Sequence, residues 1–136
     1  MTAPRRKKIL IADDDLVVLK VLSLKLSSIG FEVVKVFDSA EVTRRIAEEL
    51  PDLVLLDLDF GPTAAYTHVE WDGFKMLDWL MRLEELARIP IIVVTANESP
   101  EAHKRCLGSG AAAVFPKPLD FDALRAEIER LTGTNK

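Results

Sequence analysis

The sequence predicts an α/β protein: a doubly wound, five-stranded parallel sheet covered by five helices. Three observations carry this reading. Apolar runs of strand length, among them Ile9-Leu10-Ile11-Ala12, Leu53-Val54-Leu55-Leu56, Ile91-Ile92-Val93-Val94 and Ala112-Ala113-Val114-Phe115, alternate with longer segments of helical pattern. The runs are continuously apolar, as strands buried on both faces are. Several end in residues that carry chemistry: Asp13-Asp14-Asp15, Asp57, Thr95, and Lys117 two residues on. Ligands of such sheets bind beyond the carboxyl ends of the strands, near the point where strand order reverses.

Each element follows in order. Strand 1 covers about 8–12. Helix 1 covers about 16–29, carries apolar Val17, Val18, Val21, Leu22, Leu24 and Leu26, and stops before Gly30, which accepts positive φ. Strand 2 is about 32–37. Ser39 would cap helix 2, about 40–50, where Glu41 and Glu48 alternate with Arg44 and Arg45. Strand 3 is 53–57, and a long segment, 58–72, leads to helix 3 at about 73–87. Strand 4 is about 91–95. Pro100 suits the first turn of helix 4, which runs to about 107. Strand 5 is 113–115, and Asp120 caps helix 5, about 121–131. Asp15 immediately precedes helix 1 and can cap it.

The chain of 136 residues fits one domain, residues 1–136, with a short tail at 132–136 and no effector domain after it. Apolar content of 49% permits a sizeable core. A net charge of −4 argues against direct nucleic-acid binding, which needs a basic face. The run Arg5-Arg6-Lys7-Lys8 reads as a solvated entry to strand 1. No apolar run reaches the roughly 18 residues needed to span a bilayer. The apolar stretch near the N-terminus ends at Asp13, too short for a signal peptide. One cysteine, Cys106, excludes an internal disulfide and fits a reducing compartment. A cytoplasmic location is expected, with Cys106 as a structural thiol and His103 as a surface residue of helix 4.

Strands 1 and 3 are neighbours in this fold, so Asp13, Asp14 and Asp57 converge. Crowded carboxylates repel, and a hard divalent cation relieves them: magnesium prefers oxygen ligands and commonly takes one or two carboxylates plus a phosphate oxygen. With the cation in place, an aspartate can attack a phosphoryl group and form an acyl phosphate. Charge spread over three equatorial oxygens would be met by the cation, the Lys117 ammonium and the Thr95 hydroxyl. Singly, a strand-end aspartate is more often a cap or turn former, Thr95 a turn residue and Lys117 a surface lysine. Their joint placement at the strand ends makes that combination hard to reach by chance.

These residues carry a resemblance. Apolar strand then Asp13-Asp14-Asp15, Pro51-Asp52-Leu53-Val54-Leu55-Leu56-Asp57, Asp72-Gly73, Val93-Val94-Thr95-Ala96, Gly108-Ser109-Gly110-Ala111 and Lys117-Pro118 resemble, in this order and spacing, the receiver domain of two-component response regulators. The resemblance covers nearly the whole chain. It implies a flavodoxin-like sheet of strand order 2-1-3-4-5. It implies Asp57 as phosphoacceptor, Asp14 as a direct ligand of Mg2+ or Mn2+, Asp13 acting mainly through a metal-bound water, and the backbone carbonyl of Asp59 as a further ligand. Lys117 would contact the phosphoryl group. Thr95 would reorient towards it and pass the change to the face of helix 4, strand 5 and helix 5. The donor would be a phosphohistidine on a sensor histidine kinase or histidine phosphotransfer protein, and a downstream effector protein would be met in trans. Asp59 and Asn97 would flank the path of the hydrolytic water, giving a phosphoryl lifetime nearer minutes than many hours. No turnover of an external substrate is expected.

Two departures stand out. Receivers usually carry Tyr or Phe three residues before the lysine; here that position is Val114, and alternation points Phe115 to the opposite side. Output would then depend less on an aromatic rotamer and more on helix 4 or the long loop. The loop itself exceeds the family norm and holds Tyr66, His68 and Trp71. It reads either as an inserted flap packing its aromatics locally or as a lid or partner-docking surface. His68 reads as an ordinary loop residue. Two rival functions share these features. Asp57-Leu58-Asp59 also resembles the nucleophile motif of haloacid-dehalogenase-type phosphatases, although there the nucleophile follows the first strand. A receiver-like interaction module that never uses its phosphate site is the other.

Overall fold

The computed structural model of the chain describes residues 6–59, 73–83 and 88–133. The Tyr66, His68, Trp71 and Asp72 portion of the long loop lies outside the described residues, as do residues 84–87 at the expected end of helix 3 and the 134–136 end of the tail. The elements are β1 (Lys8–Ala12), α1 (Leu16–Ser28), β2 (Glu32–Val36), α2 (Val42–Glu49), β3 (Leu53–Asp57), α3 (Gly73–Arg82), β4 (Ile91–Thr95), α4 (Pro100–Ser109), β5 (Ala113–Pro116) and α5 (Phe121–Thr132). The five strands form one parallel sheet of order β2-β1-β3-β4-β5. This is the doubly wound, flavodoxin-like arrangement that the sequence predicts.

Strand alternation divides the core into two layers. Ile9, Ile11, Leu53, Leu55, Ile92 and Val94 meet Leu19, Leu22 and Leu26 of α1 and Leu124 and Ile128 of α5. Leu10, Ala12, Val34, Val36, Val54, Leu56, Ile91 and Val93 meet Val42 and Ile46 of α2, Leu77 and Leu80 of α3, and Cys106 of α4. Because both faces are covered, β3 and β4 have no polar residue before their last positions, and β1 has none after Lys8. Each fully buried Leu or Ile contributes about 1.5–3 kcal/mol, so the central strands anchor the fold.

Side-chain caps start three of the helices. Asp15 accepts hydrogen bonds from the Val17 and Val18 N–H groups, Ser99 from Ala102 and Asp120 from Ala123. Helix 2 differs from the expectation. Asp38, not Ser39, is the capping residue: its carboxylate accepts from the Ala40 N–H at 2.9 Å and starts a 3₁₀ turn, Ser39–Glu41, that leads into α2. Ser39 is buried inside that turn. Lys8 also departs from the expected solvated run. Its ammonium donates to the Glu49 carbonyl at 3.1 Å and to Glu49 Oε1 at 3.2 Å, while its backbone N–H donates to Asp52 Oδ2 at 2.7 Å. These bonds tie the start of β1 to the α2–β3 junction.

Helix α4 runs two residues beyond its expected end and closes at Gly110, with φ +114°. Gly110 also sits against α3: a Cβ there would lie 2.6 Å from Met81 Sδ. Gly30, at φ +106°, faces open space. Gly30→Ala is expected to cost only left-handed backbone strain, about 1–2 kcal/mol. Gly110→Ala adds displacement of Met81 and should be the more destabilising of the two by about 1 kcal/mol. Urea unfolding of the two variants checks this; equal losses would contradict the α3–α4 contact.

Candidate functional site

The strand registers dictate which residues meet at the carboxyl edge of the sheet. Ala12 lies level with Leu56, so the following residues, Asp13 and Asp57, are neighbours. Asp57 lies level with Val94, and Thr95 with Pro116, which brings Thr95 and Lys117 onto the same edge. The backbone ladder continues into the site. Asp13 N–H donates to the Val36 carbonyl at 3.0 Å, Leu58 N–H to Val94 at 2.8 Å, and Lys117 N–H to Thr95 at 3.1 Å. The sheet itself, rather than loops, therefore positions these side chains.

Asp13, Asp57 and Thr95 are buried, and Asp14 is exposed. Asp13, Asp14 and Asp57 can each bring a carboxylate oxygen within 4.8 Å of the others, a hard-oxygen set that could hold a divalent cation. Burial pushes the Asp13 carboxyl up to about 7; the Asp15 N–H bond at 2.9 Å opposes this and the nearby Asp57 adds to it. Lys117 places its ammonium 2.9 Å from Asp57 Oδ1 and 3.4 Å from Asp59 Oδ2. Burial acts to lower its pKa, but the Asp57 hydrogen bond and the charges of Asp57, Asp59 and Asp13 outweigh that and raise it. Lys117 is therefore a fixed positive charge.

Asp59 is folded back over this set. Its N–H donates to Asp57 Oδ1 at 2.9 Å. Its carboxylate accepts from Thr95 Oγ1 at 3.2 Å and from the Ala96 N–H at 2.9 Å. Thr95 Oγ1 in turn accepts from the Asn97 N–H at 3.1 Å, and Asn97 Oδ1 accepts from the Ser99 N–H at 3.0 Å. The role of the Asp59 side chain as partner of Thr95 was not read from the sequence. The spacing Asp57-Leu58-Asp59 at a strand end held the signal, because Asx turns bring residue i+2 back over residue i.

A cavity of about 410 Å³ opens here, with Asp13, Asp14, Asp15, Asp57, Asp59 and Lys117 around its polar part and Ile11, Val18, Leu22, Leu55 and Val94 along its apolar wall. Val114 packs with the α2–α4 layer and Phe115 with the α1–α5 layer, as alternation predicts. Cys106 is buried in α4 and burial raises its thiol pKa, which fits a structural thiol. His103 is exposed on α4.

The family model of the response regulator receiver domain matches residues 9–129. The chain belongs to this family. Among curated proteins, it is similar to the transcriptional regulatory protein ZraR of Escherichia coli (strain K12), with 31% identity over 122 residues, 90% of this chain and 25% of that protein. This receiver domain thus spans about a quarter of the length of that relative. Among solved structures, the receiver domain of the Francisella response regulator 1452 superposes with a TM-score of 0.82 at 25% identity, covering 96% of this chain and all of that one. The signal receiver domain of a signal transduction histidine kinase from Syntrophus aciditrophicus gives 0.79 at 27% identity, covering 96% and 92%.

The raised Asp13 carboxyl links the receiver domain's stability to pH. The folded chain holds a proton that the unfolded chain, at the ordinary value of 3.8, has already lost. The stabilisation is complete below that value and disappears as pH rises through about 7. In the presence of a chelator, the melting temperature of the native domain should fall between about pH 5 and about pH 8 relative to Asp13→Asn, where this position cannot titrate. Parallel profiles would contradict the assignment.

Proposed function

We propose that this receiver domain accepts a phosphoryl group on Asp57 from a phosphohistidine, borne by a sensor histidine kinase or a histidine phosphotransfer protein, and signals through protein contacts to an effector supplied in trans. One observation carries the reading: a buried Asp57 carboxylate with the Lys117 ammonium at 2.9 Å from Oδ1 and the Asp13 and Asp14 carboxylates beside it. Asp13, Asp14 and Asp57, with the Asp59 backbone carbonyl, would hold Mg2+ or Mn2+. When bound, the cation supplies charge neutralisation for the carboxylates and the phosphoryl oxygens.

The chain's own residues do the rest. An Asp57 carboxylate oxygen attacks phosphorus; the new O–P bond forms as the P–N bond of the phosphohistidine breaks, and the imidazole nitrogen leaves with the bonding pair. The Lys117 ammonium and the Thr95 hydroxyl donate to phosphoryl oxygens as charge spreads over them. Hydrolysis later returns inorganic phosphate and the free carboxylate, so the domain turns over its own phosphoryl group and no external substrate. A phosphatase would need Asp59 as general acid–base at the leaving oxygen, whereas here that carboxylate is engaged by Thr95, Ala96 and Lys117. With Val114 at the position of the usual aromatic and Phe115 turned to the α1–α5 layer, the signal would leave the site through Thr95 and α4. Among the described residues no helix is long and apolar enough to cross a membrane.

Intact mass spectrometry tests the reading. With acetyl phosphate and magnesium, the native chain should gain about 80 Da and Asp57→Asn should gain nothing. A gain retained in Asp57→Asn, or none in the native chain with either acetyl phosphate or a phosphohistidine protein as donor, would overturn it.

A further inference from the structure

We propose that the Asp59 carboxylate is an internal stand-in for the phosphoryl group: in the resting domain it occupies the donors that phosphoryl oxygens require, and it must swing out before they can be used. This inference rests on the reading of Asp57 as phosphoacceptor. Three separate donors converge on Asp59: the Thr95 hydroxyl at 3.2 Å, the Ala96 backbone N–H at 2.9 Å and the Lys117 ammonium at 3.4 Å. They come from the end of β4, the loop after it and the residue following β5, and Asp59 and Lys117 themselves line the cavity beside Asp57.

A buried hydroxyl needs a partner, because an orphaned polar group loses its hydration without compensation. Thr95 is 2% exposed, and the Asp59 carboxylate is its acceptor. The same carboxylate contributes the second anionic contact of Lys117, after Asp57. Charge and geometry therefore match an anionic phosphoryl oxygen rather than a neutral filler. The Asp59 side chain is 43% exposed, so it can turn out to solvent without opening the core, while its N–H remains on Asp57 Oδ1. Thr95 would not travel to an empty site. It would exchange one anionic acceptor for another, and the state of Asp59 would report phosphorylation at the surface.

The experiment compares rates of acetyl-phosphate labelling, with magnesium, by intact mass for the native chain, Asp59→Ala, Asp59→Asn, Thr95→Ala and the double variant Asp59→Ala/Thr95→Ala. Removing the stand-in should speed labelling by about 3- to 10-fold, the equivalent of the net worth of one ordinary hydrogen bond. Asp59→Asn, which keeps an acceptor but no charge, should fall between. The gain should shrink by at least half, on a logarithmic scale, in the Thr95→Ala background, and the Ala96 amide resonance of the unphosphorylated protein should move upfield in Asp59→Ala. Equal rates for native and Asp59→Ala would overturn the proposal alone. A gain undiminished without Thr95 would also overturn it, since simple removal of negative charge acts whether or not Thr95 is present. No labelling of any variant that retains Asp57 would overturn the phosphoacceptor reading, and this proposal with it.

Discussion

Two carboxylates held side by side at the ends of adjacent strands, Asp13 and Asp57, are the constraint on which the rest of the site depends. Neither can move away, because Asp13 continues the β1 ladder through its N–H on Val36 and the residue after Asp57 continues the β3 ladder through Val94. Like charges in a poorly solvated place must find relief by protonation, by a fixed cation or by a bound metal. The first two are seen here in the raised Asp13 carboxyl and the Lys117 ammonium on Asp57, and Asp14 completes an oxygen set suited to the third. The apolar layers on both faces of β1 and β3 contribute the stability that keeps this unfavourable arrangement folded.

The parallel sheet also explains why so few residues suffice. Every strand runs the same way, so every carboxyl end delivers its next residue to one edge, and register decides the neighbours. Asp57, Thr95 and Lys117 therefore meet although they are far apart in the chain. Asp59 adds a second level of organisation. Its Asx turn on Asp57 and its bonds to Thr95 and Ala96 connect β3 to β4, so a short chain of hydrogen bonds joins Asp57 to the cap of α4.

Much of this was legible from sequence, for physical reasons. Continuous apolar runs marked the strands, and their last residues located the site. Asp15 and Asp120 were readable as caps because each stands directly before a helical pattern. Other features were not legible. Asp38 and Ser39 are adjacent and both favour caps; only the extended backbone at Asp38, φ −117° and ψ 118°, decides between them. Helix α1 is apolar on nearly every face, so its pattern did not reveal that Leu19, Leu22 and Leu26 are buried while Leu16, Val17, Val21 and Leu24 are exposed. The ion pairing of Lys8 depends on Glu49, brought close by the fold rather than by spacing. The partners of the Asp59 side chain depend on the direction of one turn, which residue types alone do not specify.

An acidic edge of this kind carries repulsion that a divalent cation would relieve. Thermal unfolding of the native chain and of Asp13→Asn at about pH 8, in chelator and in magnesium, tests it most directly. In chelator the variant should melt higher, by about 4 °C for each kcal/mol of repulsion removed, and magnesium should raise the native midpoint far more than the variant's. A variant that melts lower in chelator, yet gains as much from magnesium as the native chain, would contradict it.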